Sequence, residues 1–336
     1  MSRLEKKYLL NNDGTPDALF HAIDCYEKIL YHAISDHRDI DVKSVFCDDI
    51  NIMVKPRDYG YSYSLVKLHL HDLLFNVEWS SPKPEDAFDI ISKYLNRGST
   101  VALCTMFDRL PPYLWYNHPD KRGVSNTHLV HIIGIDNDQV YFVDDSGMLD
   151  EIRLVRLASN PTVGKILKEN MMCALNEYCS ILCVDVNTHL FSSHDKFDCL
   201  VESIKDNYNT VRTQGQASDY IVGREALMAF SESMKDHAFL DYFTKDFYFP
   251  YLVAKRREIF KWCLSDKSDL YLNAKGTLDA LDRSIAAWRD LHTVFAMNDQ
   301  KEYQDLPSRV QKKMSSIIHY EDALIAETIK MSKLCF

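Results

Sequence analysis

The spacing of apolar positions along the chain changes near residue 190. Upstream, helical and strand-like patterns alternate. Residues 85–96 bring Ala87, Phe88, Ile91 and Leu95 onto one helical face, and Gly98 follows as a stop signal. Residues 100–105 (TVALCT) read as a short buried strand. Residues 127–134 and 139–144 read as two more strands. The turn-rich Ile135-Asp136-Asn137-Asp138 between them makes the pair a predicted hairpin. Residues 178–186 supply a further strand.

Downstream the strand signal nearly vanishes. Helical spacing runs through 193–208, 222–236, 250–265, 274–297 and 305–334. It is clearest where Leu278, Leu281, Ile285, Trp288 and Leu291 recur every three or four residues. Such stripes predict core rather than a ligand box, and the polar stretch 213–218 predicts a loop. The expected organisation is an α+β domain over residues 1–190 and a helical domain over 191–336.

Composition narrows the function classes. The chain has 10 glycines in 336 residues, none spaced for G-x-G-x-x-G or a P-loop. A phosphate cradle needs bare backbone at those spacings, so the usual nucleotide-binding folds are excluded. No G-x-S-x-G elbow is present. A net charge of −10 disfavours nucleic acid, which calls for a basic footprint. No apolar run approaches the ~18 residues of a membrane span, and the first residues lack a signal peptide's apolar core. The nine cysteines include no C-x-x-C pair. A cytoplasmic protein with reduced thiols is expected.

The candidate chemistry lies in the first half. His69 and His71, and the adjacent Asp48 and Asp49, fit no zinc-ligand spacing, so no metal or resident cofactor is expected. In the hairpin, His128 and His131 are three apart and face opposite sides of a strand. A hairpin centred near Asp136 puts His128 opposite Asp144, close enough for a carboxylate to orient an imidazole. The competing reading has Asp144 and Asp145 simply end the strand. Among the thiols, Cys25 stands at the head of an amphipathic segment. If Asp24 is the N-cap, unpaired amides and the helix dipole lower its pKa. If the helix starts at Thr15-Pro16, Cys25 is mid-helix and loses that help. Cys47 precedes two acidic residues, and the remaining cysteines sit in apolar segments.

The segment THLVHIIGIDNDQVYFVD resembles the histidine region of papain-like cysteine peptidases of the bacteriocin-processing type. It resembles still more the butirosin-biosynthesis acyltransferase family, which shares that fold. The matching positions are His128, Gly134, Ile135, Asp136 and Asp144. The Cys25–Leu30 stretch, the region from Leu95 to Trp115 and the Val222–Leu227 stretch also resemble that family. Two departures stand out. Phe46–Pro56 contains no glycine where the family is glycine-rich, and position 19 is Leu where papain-like enzymes often carry an oxyanion Gln six before the Cys.

The resemblance implies a papain-like cysteine peptidase core with a C-terminal helical domain. It implies Cys25 as nucleophile, His128 as base and Asp144 as the residue that orients it. The implied reaction moves an acyl group from a carrier-protein thioester to a small amine acceptor. The donor is expected on the phosphopantetheine arm of an acyl or peptidyl carrier protein, in natural-product biosynthesis. Two other readings stand beside it: a peptidase or amidase that uses water, and an inactive papain-like binding module. Neither nucleic acid nor a membrane is an expected partner.

Overall fold

The computed structural model describes residues 25–34, 40–57, 60–65, 74–106, 127–144, 149–150, 155–156, 162–176, 178–187, 193–208, 211–214, 218–240, 248–301 and 305–333. In chain order the elements begin with α1 (Cys25–Ile34), α2 (Val42–Phe46), β1 (Ile52–Arg57), β2 (Gly60–Leu65) and β3 (Phe75–Ser80). Next come α3 (Ala87–Arg97), β4 (Thr100–Met106), β5 (Thr127–Ile135) and β6 (Gln139–Asp144). The short β7 (Leu149–Asp150) and β8 (Val155–Arg156) precede β9 (Thr162–Leu167), α4 (Lys168–Leu175) and β10 (Ser180–Val186). The last part holds α5 (Ser193–Asn207), β11 (Val211–Gln214), β12 (Ser218–Val222), α6 (Arg224–Ser233) and α7 (Tyr248–Asp266). It ends with β13 (Tyr271–Leu272), α8 (Ala274–Lys301), α9 (Leu306–Ile329) and β14 (Ser332–Lys333). The chain is an α+β protein with a helical C-terminal region. No helix among the described residues is long and apolar enough to cross a membrane.

Two compact units form. One comprises residues 1–42 and 71–191, the other 43–70 and 192–336. The sequence expectation of a 1–190 domain followed by 191–336 is therefore corrected for residues 43–70. They join the second unit because β1 pairs antiparallel with β12, with Met53 opposite Val222 and Val54 opposite Ile221.

The first unit is built on a six-stranded sheet in the order β3-β10-β4-β5-β6-β9. Every neighbouring pair in it is antiparallel. On one face α3 lays Ala87, Ile91 and Tyr94 over Val101 and Leu103 of β4, Val130 and Ile132 of β5 and Phe142 of β6; Met171 and Ala174 of α4 complete that core. Removing such side chains from water stabilises by roughly 1.5–3 kcal/mol each. Gly98, at φ 86°, ends α3 in the left-handed region, and its N–H donates to the Leu95 carbonyl. Helix α1 lies on β10, β4 and β5 from the other face.

The second unit is not purely helical. It carries a four-stranded antiparallel sheet, β11-β12-β1-β2. Of the polar stretch read as a loop, Thr213 and Gln214 belong to β11 and Ser218 to β12. Ile52 and Val54 of β1 join Leu227 and Phe230 of α6, Val253 of α7, Trp288, Leu291 and Phe295 of α8, and Val310, Met314 and Ile317 of α9 in one core. The expected helical stripe is thus core: Leu281, Trp288 and Leu291 are fully buried. A polar knot crosses it. The Glu321 carboxylate accepts from Arg257 Nε and Nη2 (both 2.8 Å), Ser284 Oγ (2.6 Å) and Trp288 Nε1 (2.7 Å).

Candidate functional site

Cys25 is the first described residue of α1 and is partly exposed. Asp24 and Thr15-Pro16 lie outside the described residues, so the two readings of the helix start both stand. Cys25 lies near enough to Cys104 of β4 to act on its thiol electrostatically. Burial, and then the charge of Cys25, push the Cys104 thiol up, while a hydrogen bond from Thr127 opposes them. Cys179 and Cys183 are also pushed up, first by burial.

His128 is buried on β5, directly opposite Thr105 of β4. Pleat alternation decides where it faces. Val130 and Ile132, two and four residues on, belong to the core beneath α3. His128 shares their face. His131 takes the other face, where its ring stacks on His32 of α1 with centroids 4.5 Å apart and planes at 29°. Both imidazoles are buried. Helix α1, carrying Cys25, thus meets the sheet on the His131 side. Among the described residues no hydrogen bond joins Cys25 to His128.

Asp144 ends β6 and is described in its backbone only. The expected direct pairing of His128 with Asp144 is not made. His131 pairs with Val143 and Ile132 with Phe142, so one further step sets residue 144 level with residue 130. In the backbone register His128 and Asp144 are diagonal neighbours, about 7–8 Å apart, rather than a direct pair at ~5 Å.

The cause is the turn. Asp136 Oδ1 accepts from the backbone N–H of Asp138 (3.0 Å) and Gln139 (2.7 Å), and Oδ2 accepts from Tyr141 Oη (2.8 Å). These bonds centre the turn on residues 137–138 and hold the Asp136 carboxyl below the usual range. A bulge between Ile132 and Gly134 then shifts the register by one. The side chain of Asp136 was the available signal, since Asp commonly opens such a turn.

The other acidic candidates serve the second unit. Asp49 is buried and accepts from Asn51 N (2.8 Å), Asn51 Nδ2 (2.7 Å), Ser203 Oγ (3.1 Å) and Asn207 Nδ2 (2.7 Å). Burial raises its pKa and these bonds oppose the rise. Asp48 lies 3.6 Å from Arg256 Nη1. His69 and His71 lie outside the described residues. Among those described, no group of three or more His, Cys, Asp or Glu side chains could hold a metal ion.

Sequence reasoning passed over His32, Tyr26 and Trp79. His32 follows Cys25 by two helical turns and so shares its face, a signal available from spacing. Tyr26 stacks on Trp79 of β3 with centroids 6.4 Å apart and planes at 15°. A cross-element pairing of that kind has no signature in local sequence. A scan against protein-family models finds no match to this chain, and a search of the curated proteins finds none.

Proposed function

We propose that the protein is a cysteine-dependent acyltransferase on a papain-like core, with Cys25 as nucleophile. The observation that supports this best is the placement of Cys25. It is a partly exposed thiol at the start of the described part of α1, laid on an antiparallel sheet near Cys104, whose thiol is pushed up by burial and then by its nearness to Cys25. The resemblance of the His128–Asp144 segment supplies the rest.

In the proposed reaction the Cys25 thiolate attacks the carbonyl of a carrier-bound acyl thioester. The carbon–sulfur bond to the phosphopantetheine breaks, and the leaving thiolate takes the proton that Cys25 gave up; the resemblance assigns its transfer to His128, although the histidine on the α1 face of β5 is His131. An amine then attacks the acyl-cysteine, gives its proton to His128 and releases Cys25. Asp144 holds the imidazole in the productive tautomer. The chain's net charge of −10 means that an acidic carrier docks on a local patch rather than by overall attraction. A reducing cytoplasm suits thiols such as Cys25, Cys104, Cys179 and Cys263, which are free.

The β5 pleat favours a second reading, a binding module of the same fold without turnover. His128 shares the face of the α3 core, whereas Cys25 rides on α1 across the sheet. Intact-mass spectrometry after incubation with acyl thioesters, with and without an amine, separates the readings. A Cys25-dependent adduct discharged by amine supports the transferase, and discharge by water alone supports a hydrolase. Absence of any adduct leaves the binding module. Loss of His128 is expected to slow acylation about 10²–10⁴-fold. If His128→Ala acylates at the parental rate, the base assignment fails while that of the nucleophile stands.

A further inference from the structure

Trp79 is 50% exposed although it sits in a regular strand. That strand, β3, is the outermost of the six-stranded sheet. Trp79 pairs with Leu182 of β10, which pairs in turn with Ala102 of β4. Alternation therefore sets Trp79 on the same face as Ala102 and Cys104, the face that α1 covers. Its ring lies parallel to that of Tyr26, the residue immediately after Cys25. The aromatic pair thus begins at the nucleophile's own backbone and extends to the sheet edge.

Among the residues of β3 itself this face is apolar. Glu78 points the other way, where it accepts from Tyr94 Oη at 2.7 Å and lies 3.9 Å from Arg97. The other β3 residues on the Trp79 face are Phe75 and Val77. Two strand spacings, about 9–10 Å, separate β3 from the β4 strand that carries Cys104. With Cys25 near Cys104, an acetyl group on it is too short to reach from β4 to β3. A three-carbon acyl chain ending in an aromatic ring spans it and can lay its ring on the exposed indole face.

We propose that Trp79, backed by Tyr26, determines acyl specificity by stacking against acyl groups that end in an aromatic ring. This rests on the reading of Cys25 as nucleophile.

The test uses cinnamoyl and acetyl thioesters of N-acetylcysteamine with the full chain. Intact-mass spectrometry follows Cys25 acylation, and tryptophan fluorescence quenching by the cinnamoyl thioester follows binding. Trp79→Ala is expected to lower the cinnamoyl acylation rate constant per unit concentration about tenfold, with acetyl held within about twofold. Trp79→Phe restores most of the loss. If wild type acylates Cys25 but Trp79→Ala leaves the cinnamoyl-to-acetyl ratio unchanged, the proposal is overturned. If neither thioester acylates Cys25, the nucleophile reading fails by itself. Quenching that disappears in Trp79→Phe then sustains the aromatic surface as a binding site, and quenching that persists or is absent overturns it.

Discussion

Two glycines brought forward by sequence resemblance are expected to respond to alanine with opposite signs. Gly223 joins β12 to α6 at φ 66° and ψ −130°, a conformation L side chains rarely adopt. A Cβ there would stand 2.5 Å from Tyr208 Cα and 2.7 Å from the Asn207 carbonyl oxygen. Both obstacles are backbone, so no side-chain rotation relieves them. The dihedral strain costs about 1–3 kcal/mol.

Relief of the overlap must also stretch local bonds. Gly223 N–H donates to the Ile52 carbonyl at 2.9 Å and Arg224 N–H to the Tyr208 carbonyl at 2.8 Å. Each is worth about 1 kcal/mol. Gly223→Ala is therefore expected to cost roughly 2–5 kcal/mol, a large share of a typical stability of about 5–15 kcal/mol. At Gly134 a Cβ meets only Tyr141 side-chain atoms at 3.7 and 3.9 Å, which is ordinary contact. Gly134→Ala is expected to be neutral, or to stabilise by up to about 1 kcal/mol through the unfolded chain. Urea unfolding followed by circular dichroism measures both. A loss under about 1 kcal/mol for Gly223→Ala, or a loss above that for Gly134→Ala, refutes the reasoning.

Three further expectations follow from the same structure. Glu321→Ala leaves Arg257 buried without its carboxylate and should destabilise by about 3–5 kcal/mol in denaturant titration, with Trp288 fluorescence reporting locally; a change under about 1 kcal/mol counts against the buried network. Iodoacetamide at neutral pH should alkylate Cys25 before Cys104, whose thiol is pushed up, and peptide mapping that finds Cys104 modified first reverses the assignment. The Asp136 carboxyl is held below its unfolded value, so its support of the β5–β6 turn is present above the ordinary carboxylate range near ~3.9 and is lost as pH falls through the lower folded value. Hydrogen exchange of Gln139 and Val140 should accelerate over that acidic interval, and the same acceleration in Asp136→Asn, which cannot titrate, would show another cause.

The amino-acid pattern alone determined most of the secondary structure. Helical spacing located α3, α5 and α6 through α9, because an amphipathic helix writes its buried face into a 3.6-residue period. Strand propensity located β4, β5, β6 and β10, because their buried faces are filled with branched and aromatic residues. Gly98 marked the end of α3 because its left-handed conformation suits glycine. Tertiary structure decided everything that depends on partners distant in the chain. The strand β1, with β2 paired to it, joins the second unit because its other partner, β12, lies far along the sequence.

The site divides in the same way. Cys25, His128 and Asp144 are visible as residue types, yet the register that sets His128 and Asp144 as diagonal rather than direct neighbours is fixed by the bulge after Ile132 and the bonds of Asp136. A shift of one residue in an antiparallel register reverses every side chain on the strand. The stack of His32 on His131 and that of Tyr26 on Trp79 exist only once α1 settles on the sheet. Periodicity is local, so the sequence carries it openly; register and face are cooperative properties of several strands packed together, and only the folded chain determines them.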